Sequence, residues 1–390
     1  MRQFDFAVIG AGIAGASAAF ELQSRGRTIL LEREALPGQH TTGRSAAFSA
    51  ESYGNRVVAL LTRAARATFE QPPSGFARHP LARRCPILWV ARAEQAQRLH
   101  ARAQRAIAAG AQLEPIDAAA ARALFPALRA EPVASAFVEA RALHLDVSGL
   151  LDSYLAGFRA RGGDLAKRAE VCELRQIGGG WELRLRGDVA LRARVVVDAA
   201  GAWADEIASL AGARRIGLAV LQRTAFTFEP PAGADIASWA CLIDADEAFY
   251  VKPEGARLLG SPCDETPVAP CDPSPQEIDV ARAVERIERA TMLEIRRIPS
   301  RWAGLRSFVA DRAPVIGMDP ALPGFCWLAA QGGFGVMTAP ACARAAAALI
   351  VDGELPADLA ALGLTPEMLA PARAALRSIR ERPAPARGFA

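Results

Sequence analysis

The first 34 residues show two hydrophobic patterns in succession. Residues 4–9 end in four consecutive apolar positions, as is typical of a buried parallel strand. Residues 14–25 have a helical composition, and Gly26 follows where a C-terminal cap belongs. Residues 28–31 form a second apolar run, which Glu32 closes. This order predicts a strand, a helix and a second strand, the unit from which parallel sheets are built.

A complete G-x-G-x-x-G motif separates the first predicted strand from the helix. Gly10 permits the tight turn, Gly12 lets a pyrophosphate approach bare backbone, and Gly15 lets helix and strand pack closely. The helix, which begins near Ala14, offers free N–H groups and a positive dipole end to the phosphates. Glu32 lies 22 residues after Gly10, where a carboxylate can accept hydrogen bonds from a ribose. The segment therefore predicts a dinucleotide site.

An N-terminal apolar segment rich in small residues is also typical of a secretory signal. Two observations argue against that interpretation. Asp5 lies close to the single base Arg2, and the expected cleavage site falls inside a pattern that continues to Glu32. We therefore retain the dinucleotide interpretation.

The chain of 390 residues is long enough for two domains. Its 46 basic and 42 acidic residues leave a net charge of +4, too balanced to indicate nucleic-acid binding. A transmembrane helix would need about 18 consecutive apolar residues, and no such run occurs in the sequence. Seven cysteines and four histidines are scattered without a C-x-x-C pair. These counts predict reduced thiols, no metal site and a cytoplasmic protein, with docking at a membrane surface left open.

Alternation and capping residues predict the other elements. Strands are expected at 87–90, 171–176, 181–186, 218–228, 249–252 and 258–261, and a buried strand from 195 runs into a small-residue turn. Helices are expected at 94–109, at 117–124 with Asp117 as N-cap, at 146–161, from Ser274 as N-cap and Pro275 to 292, and at 338–350. The proline-containing end, residues 381–390, is expected to be disordered. The loop between Glu32 and Ala47 can wrap a large cofactor with backbone and hydroxyl donors, and it is equally consistent with ordinary surface structure.

Several motifs together resemble the FAD-dependent D-amino acid oxidase superfamily. They are GAGIAGAS, LLERE and PGQHTTGRSAA near the start, SYG at 52–54, PPSGFARHPL near 72–81, VVVDAAGAWADEIASLAG at 195–212, EAFYVKP at 247–253, WAGLRSFVADRAPVIG at 302–317 and WLAAQGGFGVMT at 327–338. The match is closest to bacterial D-arginine dehydrogenases and extends to about residue 370.

The resemblance implies a Rossmann-like α/β FAD-binding domain interleaved with an α+β substrate domain that has a mixed sheet. This is the D-amino acid oxidase, or glutathione reductase type 2, fold. It assigns residues 1–85, 140–215 and 302–370 to the FAD-binding domain, 86–139 and 216–301 to the substrate domain, and 371–390 to a C-terminal tail.

The resemblance also implies FAD as the cofactor. The residues expected to contact it are Gly10, Gly12, Ala14, Gly15, Glu32, Arg33, Thr41, Thr42, Gly43, Arg44, Ser45, Ala46, Ala47, Val171, Ala200, Gly201, Trp203, Gly332, Gly333, Phe334, Gly335, Val336 and Met337. Similar sarcosine oxidases attach the flavin through a cysteine near the segment matching 304–306. Because no cysteine occurs there, FAD is expected to be bound non-covalently.

A substrate α-carboxylate needs a cation with fixed donors, and the planar fork of arginine matches it in two hydrogen bonds. Arg306 and Arg223 lie inside apolar strands, where an unpaired guanidinium would be costly. The resemblance implies that Arg306 binds the carboxylate and that Arg223 lies on the active-site sheet. It places Tyr53 and Tyr250 at substrate-contacting positions, and Gly333 beside substrate as well as cofactor.

Three residues depart from the D-arginine dehydrogenase pattern. Ile87 stands where that group has a glutamate that pairs with the cationic end of the substrate, and Phe48 stands where it has a histidine. Both changes make the expected substrate pocket more apolar, and a buried guanidinium without a partner is strongly penalised. Neutral or hydrophobic D-amino acids are therefore expected in preference to D-arginine. Met337 replaces a glutamine beside the flavin.

The expected reaction is oxidation of the substrate Cα–H by hydride transfer to flavin N5, followed by hydrolysis of the imino acid to a 2-oxo acid. Three alternatives stay open. The same fold could act on glycine, N-methyl amino acids or 2-hydroxy acids, the chain could be a non-catalytic electron-relay subunit, or the motif could bind NAD. The residues fit an oxidase and a dehydrogenase equally, with a quinone, a carrier or oxygen as electron acceptor.

Overall fold

The computed structural model describes residues 1–377 of the chain. The strands within this part are β1 (Arg2–Ile9), β2 (Thr28–Glu32), β3 (Phe48–Ser49), β4 (Ala82–Arg84), β5 (Ile87–Ala91), β6 (Glu114–Ile116), β7 (Ser135–Glu139), β8 (Leu143–Leu145), β9 (Asp164–Lys167), β10 (Val171–Ile177), β11 (Gly180–Leu185), β12 (Val189–Asp198), β13 (Ala219–Phe228), β14 (Cys241–Asp244), β15 (Tyr250–Glu254), β16 (Arg257–Ser261), β17 (Thr266–Pro267), β18 (Ser300–Phe308), β19 (Val315–Met318) and β20 (Phe325–Ala329).

The α-helices in the same part are α1 (Ile13–Gln23), α2 (Arg56–Glu70), α3 (Ala96–Ala108), α4 (Ala118–Leu124), α5 (Val147–Ala160), α6 (Ala204–Leu210), α7 (Glu277–Ala290), α8 (Gly335–Val351), α9 (Ala357–Ala361), α10 (Pro366–Leu369) and α11 (Ala374–Arg377). Short 3₁₀ helices occur at Ala93–Gln95 and Gly201–Trp203. The predicted disordered end, residues 381–390, lies outside the described residues.

Parallel pairing organises the first sheet around β1. Strand β1 runs parallel to β2 on one side and to β12 on the other, in the order β10-β11-β12-β1-β2-β9, and β20 pairs with the end of β12. Ile9 lies opposite Asp198, so the residues that follow, Gly10 and Ala199, emerge side by side. Open parallel sheets bind their ligands at such an edge, outside the carboxyl ends of the strands.

The second sheet is mostly antiparallel, in the order β17-β13-β16-β15-β14-β5-β7-β6, with β18 paired to β13. The register places Leu221 of β13 opposite Arg306 of β18, and Arg223 opposite Gly304. Side chains two residues apart on a strand share a face. Arg223 and Arg306 therefore project from the same face of this sheet. A third, small sheet contains β3, β8 and β4.

One predicted domain boundary differs from the structure. The return of the chain to the first domain was expected at residue 302, but all of β18 pairs with β13 in the second sheet. The chain rejoins the first sheet at β19, which begins at Val315. The reason is that the residue pattern of β18 predicts a strand but does not indicate which strand it pairs with. We propose the same two-domain division with the boundary moved to about residue 309.

Small residues let helices α1 and α8 bury most of their surface. Alanines 16, 18 and 19 of α1 are fully buried, as are alanines 341, 343, 345 and 346 of α8. Since alanine loses no side-chain entropy and allows close approach, both helices pack against the first sheet and each other. The predicted helix at 338–350 therefore exists, but it begins three residues earlier, at Gly335.

One predicted N-cap, Asp117, is confirmed and one is wrong, and the structure adds a cap at Asp146, where only the start of a helix was predicted. The carboxylates of Asp117 and Asp146 accept hydrogen bonds from Ala120 N and Gly149 N at 2.7 and 2.9 Å. Helix α7 begins at Glu277 with Gln276 as its N-cap, so the predicted cap at Ser274 lies two residues too early. Glu277 and Asp279 in its first turn interact favourably with the positive end of the helix dipole. These acids are consistent with a helix start at either the predicted or the observed position.

Gly26 does not have the predicted left-handed cap conformation, and α1 ends at Gln23 with Ser24 as its C-cap. A Cβ on Gly26 would lie 2.9 Å from side-chain atoms of Asp5 and Phe6. The glycine is needed for close packing against β1.

The predicted tail is ordered at its start. Arg373 binds both carboxylate oxygens of Asp311, at 2.6 and 2.8 Å, and donates to the backbone oxygens of Ala313 and Pro314. Helix α11 follows directly. We therefore propose that the folded body includes residues 371–376, beyond the predicted boundary at 370.

Candidate functional site

The first glycine loop connects β1 to α1 at the carboxyl edge of the first sheet. Gly10 has φ of +98°, and a Cβ there would lie 2.6 Å from the backbone oxygen of Ala199. A Cβ on Gly15 would lie 1.8 Å from the backbone oxygen of Gly10. Both positions therefore require glycine, and the bare backbone that results forms a cradle beside the N-terminus of α1.

Glu32 and Thr42 fix this loop through hydrogen bonds. Glu32 accepts from Ala11 N at 2.8 Å and from Glu34 N at 2.9 Å. The Thr42 hydroxyl oxygen accepts from Ile13 N at 3.0 Å and so caps α1. Glu32 is buried at the end of β2. Its carboxylate therefore stays at the position predicted to meet a ribose.

A cavity of ≈ 360 Å³ extends from this loop to the second sheet. Many residues predicted for cofactor and substrate lie on its wall. They are Gly10, Gly12, Ala14, Glu32, Arg33, Thr41, Thr42, Arg44, Ser45, Ala46, Val171, Ala200, Gly201, Trp203, Arg223, Tyr250, Arg306, Gly332, Gly333, Gly335 and Val336. The structure thus brings together segments from both sheets around one space.

Eight predicted site residues are not among those that line the cavity. They are Gly15, Gly43, Ala47, Phe48, Tyr53, Ile87, Phe334 and Met337. Gly15 and Gly43 allow close backbone packing, since a Cβ on Gly43 would lie 2.6 Å from Gly38 O. Phe334 and Met337 are buried in the core, Phe334 within the second glycine loop (residues 331–335) and Met337 in the first turn of α8. The family resemblance located these segments, but it did not distinguish residues that face the cavity from their neighbours.

His40 lies on the cavity wall, and sequence reasoning assigned it no role. Its Nε2 lies 2.9 Å from Glu34 Oε1, and its ring packs on Trp203 with centroids 4.8 Å apart. This hydrogen bond from His40, followed by the nearby charge of Arg33, lowers the pKa of Glu34. The Arg33 guanidinium in turn lies 3.9 Å from the Trp203 ring centre. The polar loop at 33–47 was the signal that could have identified His40.

The second glycine loop lies opposite the first. Gly332 has φ of +54°, and a Cβ there would lie 2.0 Å from Phe308 Cε1. The loop leads directly into α8, whose first residues, Gly335 and Val336, line the cavity. A second helix N-terminus therefore opens onto the same space, where its dipole favours negative charge.

Arg306 and Tyr53 meet beside this second loop. Arg306 Nη1 donates a hydrogen bond to Tyr53 Oη at 2.9 Å. A Cβ on Gly333 would lie 2.6 Å from Arg306 Nη1, so the guanidinium rests against bare backbone. Arg306 is half-buried and lines the cavity. It therefore keeps donors available to an anion.

Arg223 is the more deeply buried of the two arginines, with 7% exposure. Its Nη2 lies 3.2 Å from Glu265 Oε1, and Glu265 also binds Arg312 at 2.6 and 3.1 Å. Arg223 Nε and Nη1 have no hydrogen-bond partner within residues 1–377. A buried cation with unmet donors is costly, so this wall is suited to receive an acidic group.

Aromatic rings surround the two arginines. Tyr250 is buried on β15, and burial raises the pKa of its hydroxyl, which therefore remains protonated at neutral pH. The Phe48 ring packs on Tyr53 with centroids 5.2 Å apart and approaches Tyr250 at 6.4 Å. Tyr53 also contacts Phe334 at 5.3 Å. Phenols next to guanidiniums provide hydrogen bonds while their rings exclude water.

Ile87 is fully buried and lies directly opposite Glu139 in the β5–β7 pairing. The Glu139 carboxylate accepts hydrogen bonds from Glu51 N at 2.8 Å and Ser52 N at 3.1 Å. Both of its oxygens are thus engaged with backbone groups.

Within residues 1–377, no cluster of three or more His, Cys, Asp or Glu side chains is arranged to hold a metal ion. The helices of this part of the chain are all too short or too polar to cross a membrane. All seven cysteines fall inside it, and each is unpaired.

The model of the DAO family, FAD dependent oxidoreductase, matches residues 5–349. FAD-dependent oxidoreductase domain-containing protein 1 from Bos taurus is 28% identical over 176 residues, which is 41% of this chain and 36% of that protein. The hydrogen cyanide synthase subunit HcnC from Pseudomonas aeruginosa is 27% identical over 219 residues, which is 54% of this chain and 50% of HcnC. The chain thus spans half or less of the length of these relatives.

Solved structures share the fold at low sequence identity. Glycine oxidase from Geobacillus kaustophilus has a TM-score of 0.78 and 21% identity, covering 94% of this chain and 99% of that one. L-Amino acid deaminase from Proteus vulgaris has a TM-score of 0.80 and 15% identity, covering 96% and 97%. Three features suit a flavin dinucleotide: the bare backbone of the first glycine loop, the Glu32 carboxylate and the N-terminus of α8. FAD is therefore the cofactor of this cavity, and the chain belongs to the DAO family of FAD dependent oxidoreductases.

Proposed function

We propose that this protein oxidises D-amino acids at Cα, and that it prefers neutral or hydrophobic side chains to D-arginine. The observation that carries the proposal is the placement of Arg306 and Arg223 on one wall of the FAD cavity, beside two tyrosines. Two adjacent cations at a buried site favour a ligand with a carboxylate. The motif likeness to D-arginine dehydrogenases supports the amino acid class and the D configuration.

Arg306 holds the substrate carboxylate in this proposal, with Arg223 as the second cation. Tyr53 and Tyr250 complete the clamp, and the bond from Arg306 to the Tyr53 hydroxyl orients the guanidinium before substrate arrives. Fixed orientation of this kind supplies several kcal/mol of rate acceleration, because freedom lost on binding need not be lost again at the transition state.

Bound FAD supplies the hydride acceptor, its N5 atom. The protein's task is to direct the Cα–H of the substrate toward it and to keep water out. The substrate amine is neutral when it reacts, so the scheme assigns no proton abstraction to a side chain. No cysteine occurs in the sequence segment around residues 304–306, which supports non-covalent FAD. Seven unpaired thiols support a cytoplasmic location.

The expected preference for apolar side chains rests on residues 87 and 48. Ile87 offers no charge, and the carboxylate of Glu139, which lies opposite it in the sheet, is engaged with backbone N–H groups. Phe48 adds an aromatic ring next to Tyr53. A cationic side chain would lose its hydration here without gaining a partner.

A second candidate is an electron-relay subunit that binds FAD but oxidises no amino acid. The likeness to HcnC, which is a subunit of a larger synthase, favours it. Glycine, N-methyl amino acids and 2-hydroxy acids are further substrate candidates, because each carries the carboxylate that the arginines would bind.

Anaerobic mixing of the purified flavoprotein with candidate substrates tests the proposal. The panel contains D-methionine, D-leucine, D-phenylalanine and D-arginine, their L-forms, glycine, N-methylglycine and lactate. Bleaching of the flavin by the neutral D-amino acids, with the highest kcat/KM among them, is the expected result. Preference for D-arginine would refute the pocket assignment, and bound FAD that nothing in the panel reduces would favour the relay subunit. Repeating the reaction with oxygen and with a quinone identifies the electron acceptor.

A further inference from the structure

Glu139 is a buried acid without a role in the mechanism above. It ends strand β7 with 3% exposure, and no basic side chain forms an ion pair with it within residues 1–377. Burial raises the pKa of its carboxyl, and hydrogen bonds from Ser52 and from the backbone of Glu51 oppose that rise. An acid kept in such a place at an energetic cost needs a structural or functional reason.

The partners of Glu139 are the two residues that precede Tyr53. Its Oε1 accepts from Glu51 N at 2.8 Å and its Oε2 from Ser52 N at 3.1 Å. One carboxylate thus holds two consecutive backbone N–H groups, which fixes the direction in which the chain enters residue 53.

Side chains of other elements also hold this loop. Arg63 binds the Glu51 carboxylate at 2.6 and 2.9 Å, and Trp89 Nε1 donates to Ser52 Oγ at 3.2 Å. On the far side, Gly54 has φ of +107°, and a Cβ there would lie 2.8 Å from Val58. The loop is therefore held on both sides of Tyr53.

Tyr53 extends from this loop to Arg306. Its hydroxyl oxygen accepts the 2.9 Å hydrogen bond from Arg306 Nη1, and its ring lies between Phe48 and Phe334. A shift of the backbone at residues 51 and 52 would therefore move the phenol away from the guanidinium. A displacement of about 1 Å is enough to impair a positioned catalytic group.

We propose that Glu139 is a positioning residue, which sets Tyr53 against Arg306 by holding the backbone N–H groups of residues 51 and 52. This inference rests on the proposed carboxylate clamp. It assigns no contact between Glu139 and substrate. A carboxylate suits the task because it accepts both N–H groups, whereas an amide of the same shape presents an NH₂ group to one of them.

The first test is a double-mutant cycle read out by benzoate, an apolar carboxylate that carries no amine. Its Kd is measured from the change in the flavin visible spectrum for wild type, Glu139→Gln, Tyr53→Phe and the double variant. Loss of one charge-assisted hydrogen bond predicts benzoate binding weaker by about five- to tenfold in Glu139→Gln. The double variant should bind no more weakly than Tyr53→Phe alone, because Glu139 acts through Tyr53.

The matched control is Glu131→Gln, which removes a charge from an exposed acid shortly before β7 and leaves the contacts of residues 51–54 in place. It should change the Kd for benzoate less than Glu139→Gln does. Unchanged binding in Glu139→Gln, or effects of the two single variants that multiply in the double variant, would overturn the proposal. FAD content and thermal unfolding of each holoenzyme show whether the variants fold.

The second test needs no ligand. Amide hydrogen exchange of the peptide spanning residues 50–56 should be about five- to tenfold faster in Glu139→Gln than in wild type, and unchanged in Tyr53→Phe. Equal exchange in Glu139→Gln and wild type would overturn the proposal. If wild type binds no benzoate, the proposed carboxylate clamp fails, while the exchange measurement still decides whether Glu139 holds the loop.

Discussion

The Thr41 hydroxyl donates a hydrogen bond to the backbone oxygen of Leu305 at 2.9 Å and so joins the cofactor loop to the strand that carries Arg306. Two more contacts reinforce this connection. Trp302 Nε1 donates to Arg44 O at 3.0 Å, and Arg44 Nη1 donates to Ala303 O at 3.1 Å. The FAD site and the proposed carboxylate site therefore share structural support.

Replacing Thr41 by valine keeps the shape of the side chain and leaves Leu305 O without this donor. We expect Thr41→Val to weaken both FAD binding and benzoate binding by about fivefold, because one partly buried hydrogen bond contributes about 1 kcal/mol. Titration of the apoprotein with FAD, followed by titration of the holoprotein with benzoate, measures the two effects. Weaker FAD binding with unchanged benzoate binding would show that the two sites are independent.

Arg306 is expected to contribute most to carboxylate binding. Arg306→Lys keeps the charge but loses the planar fork, so kcat/KM for D-leucine should fall by about a hundredfold or more, with FAD retained. Arg301→Lys is the matched control, since Arg301 lies on the same strand with its side chain 48% exposed. A similar loss in both variants would mean that the strand, rather than the guanidinium of Arg306, was disturbed.

Gly333 leaves room for Arg306, so a methyl group there should displace it. The added Cβ would lie 2.6 Å from Nη1 and 2.7 Å from Cζ of Arg306. Because the guanidinium is the movable end of a long side chain, we expect Gly333→Ala to lower kcat/KM about tenfold or more with little change in thermal stability. Gly178→Ala, at a position with nothing within 4 Å, is the control. A large drop in the melting temperature of Gly333→Ala would contradict this reasoning.

Position 87 tests the expected preference for apolar substrates. Ile87→Glu adds a carboxylate directly opposite buried Glu139, and like charges at opposed positions destabilise a sheet. We expect a lower melting temperature than for Ile87→Gln, together with a rise in kcat/KM for D-arginine relative to D-leucine. Steady-state kinetics and thermal unfolding at neutral pH measure both. An unchanged ratio of the kcat/KM values for D-arginine and D-leucine would show that residue 87 does not determine substrate preference.

The lowered pKa of His144 predicts how the stability of the protein depends on pH. Burial, and then the nearby Lys252 cation, lower its pKa from 6.5 to about 4. Its Nδ1 accepts from Lys252 Nζ at 3.0 Å, so it stays neutral in the folded protein while the unfolded chain takes up a proton below pH 6.5. The stability it contributes is therefore complete above pH 6.5 and is lost as the pH falls toward 4.

Melting temperatures recorded across this pH range check the assignment. His144→Asn keeps an acceptor but cannot titrate, so its melting temperature should fall less than that of wild type on acidification. His79→Asn, at an exposed histidine, should behave as wild type. Parallel curves for wild type and His144→Asn would exclude His144 as the source.

The glycine loops and their elements could be predicted because each depends on local sequence. Gly10 and Gly15 have backbone environments that only glycine fits, so the motif carried their roles. The contact between Arg306 and Tyr53 could not be derived from pattern alone, since 253 residues separate the two. Only the family resemblance placed both at the substrate.

The pairing of one strand and the role of one buried acid could not be predicted from residue patterns. Strand β18 would have the same apolar pattern in either sheet, so its pairing with β13 could not be inferred from the sequence. Glu139 ends an ordinary strand. Its partners are backbone N–H groups, which cannot be inferred from the types of the residues that carry them. Such roles follow only from coordinates.

The parallel pairing of β12 with β1 on one side and β20 on the other has a consequence for synthesis on the ribosome. The glycine loop leaves the exit tunnel before β12, which ends at Asp198, and before β20, which ends at Ala329. A nascent chain therefore has no complete platform for flavin until β20 has been translated. Flavin loading is consequently a late step in biogenesis, and until then the apolar first strand must be kept from associating with other chains.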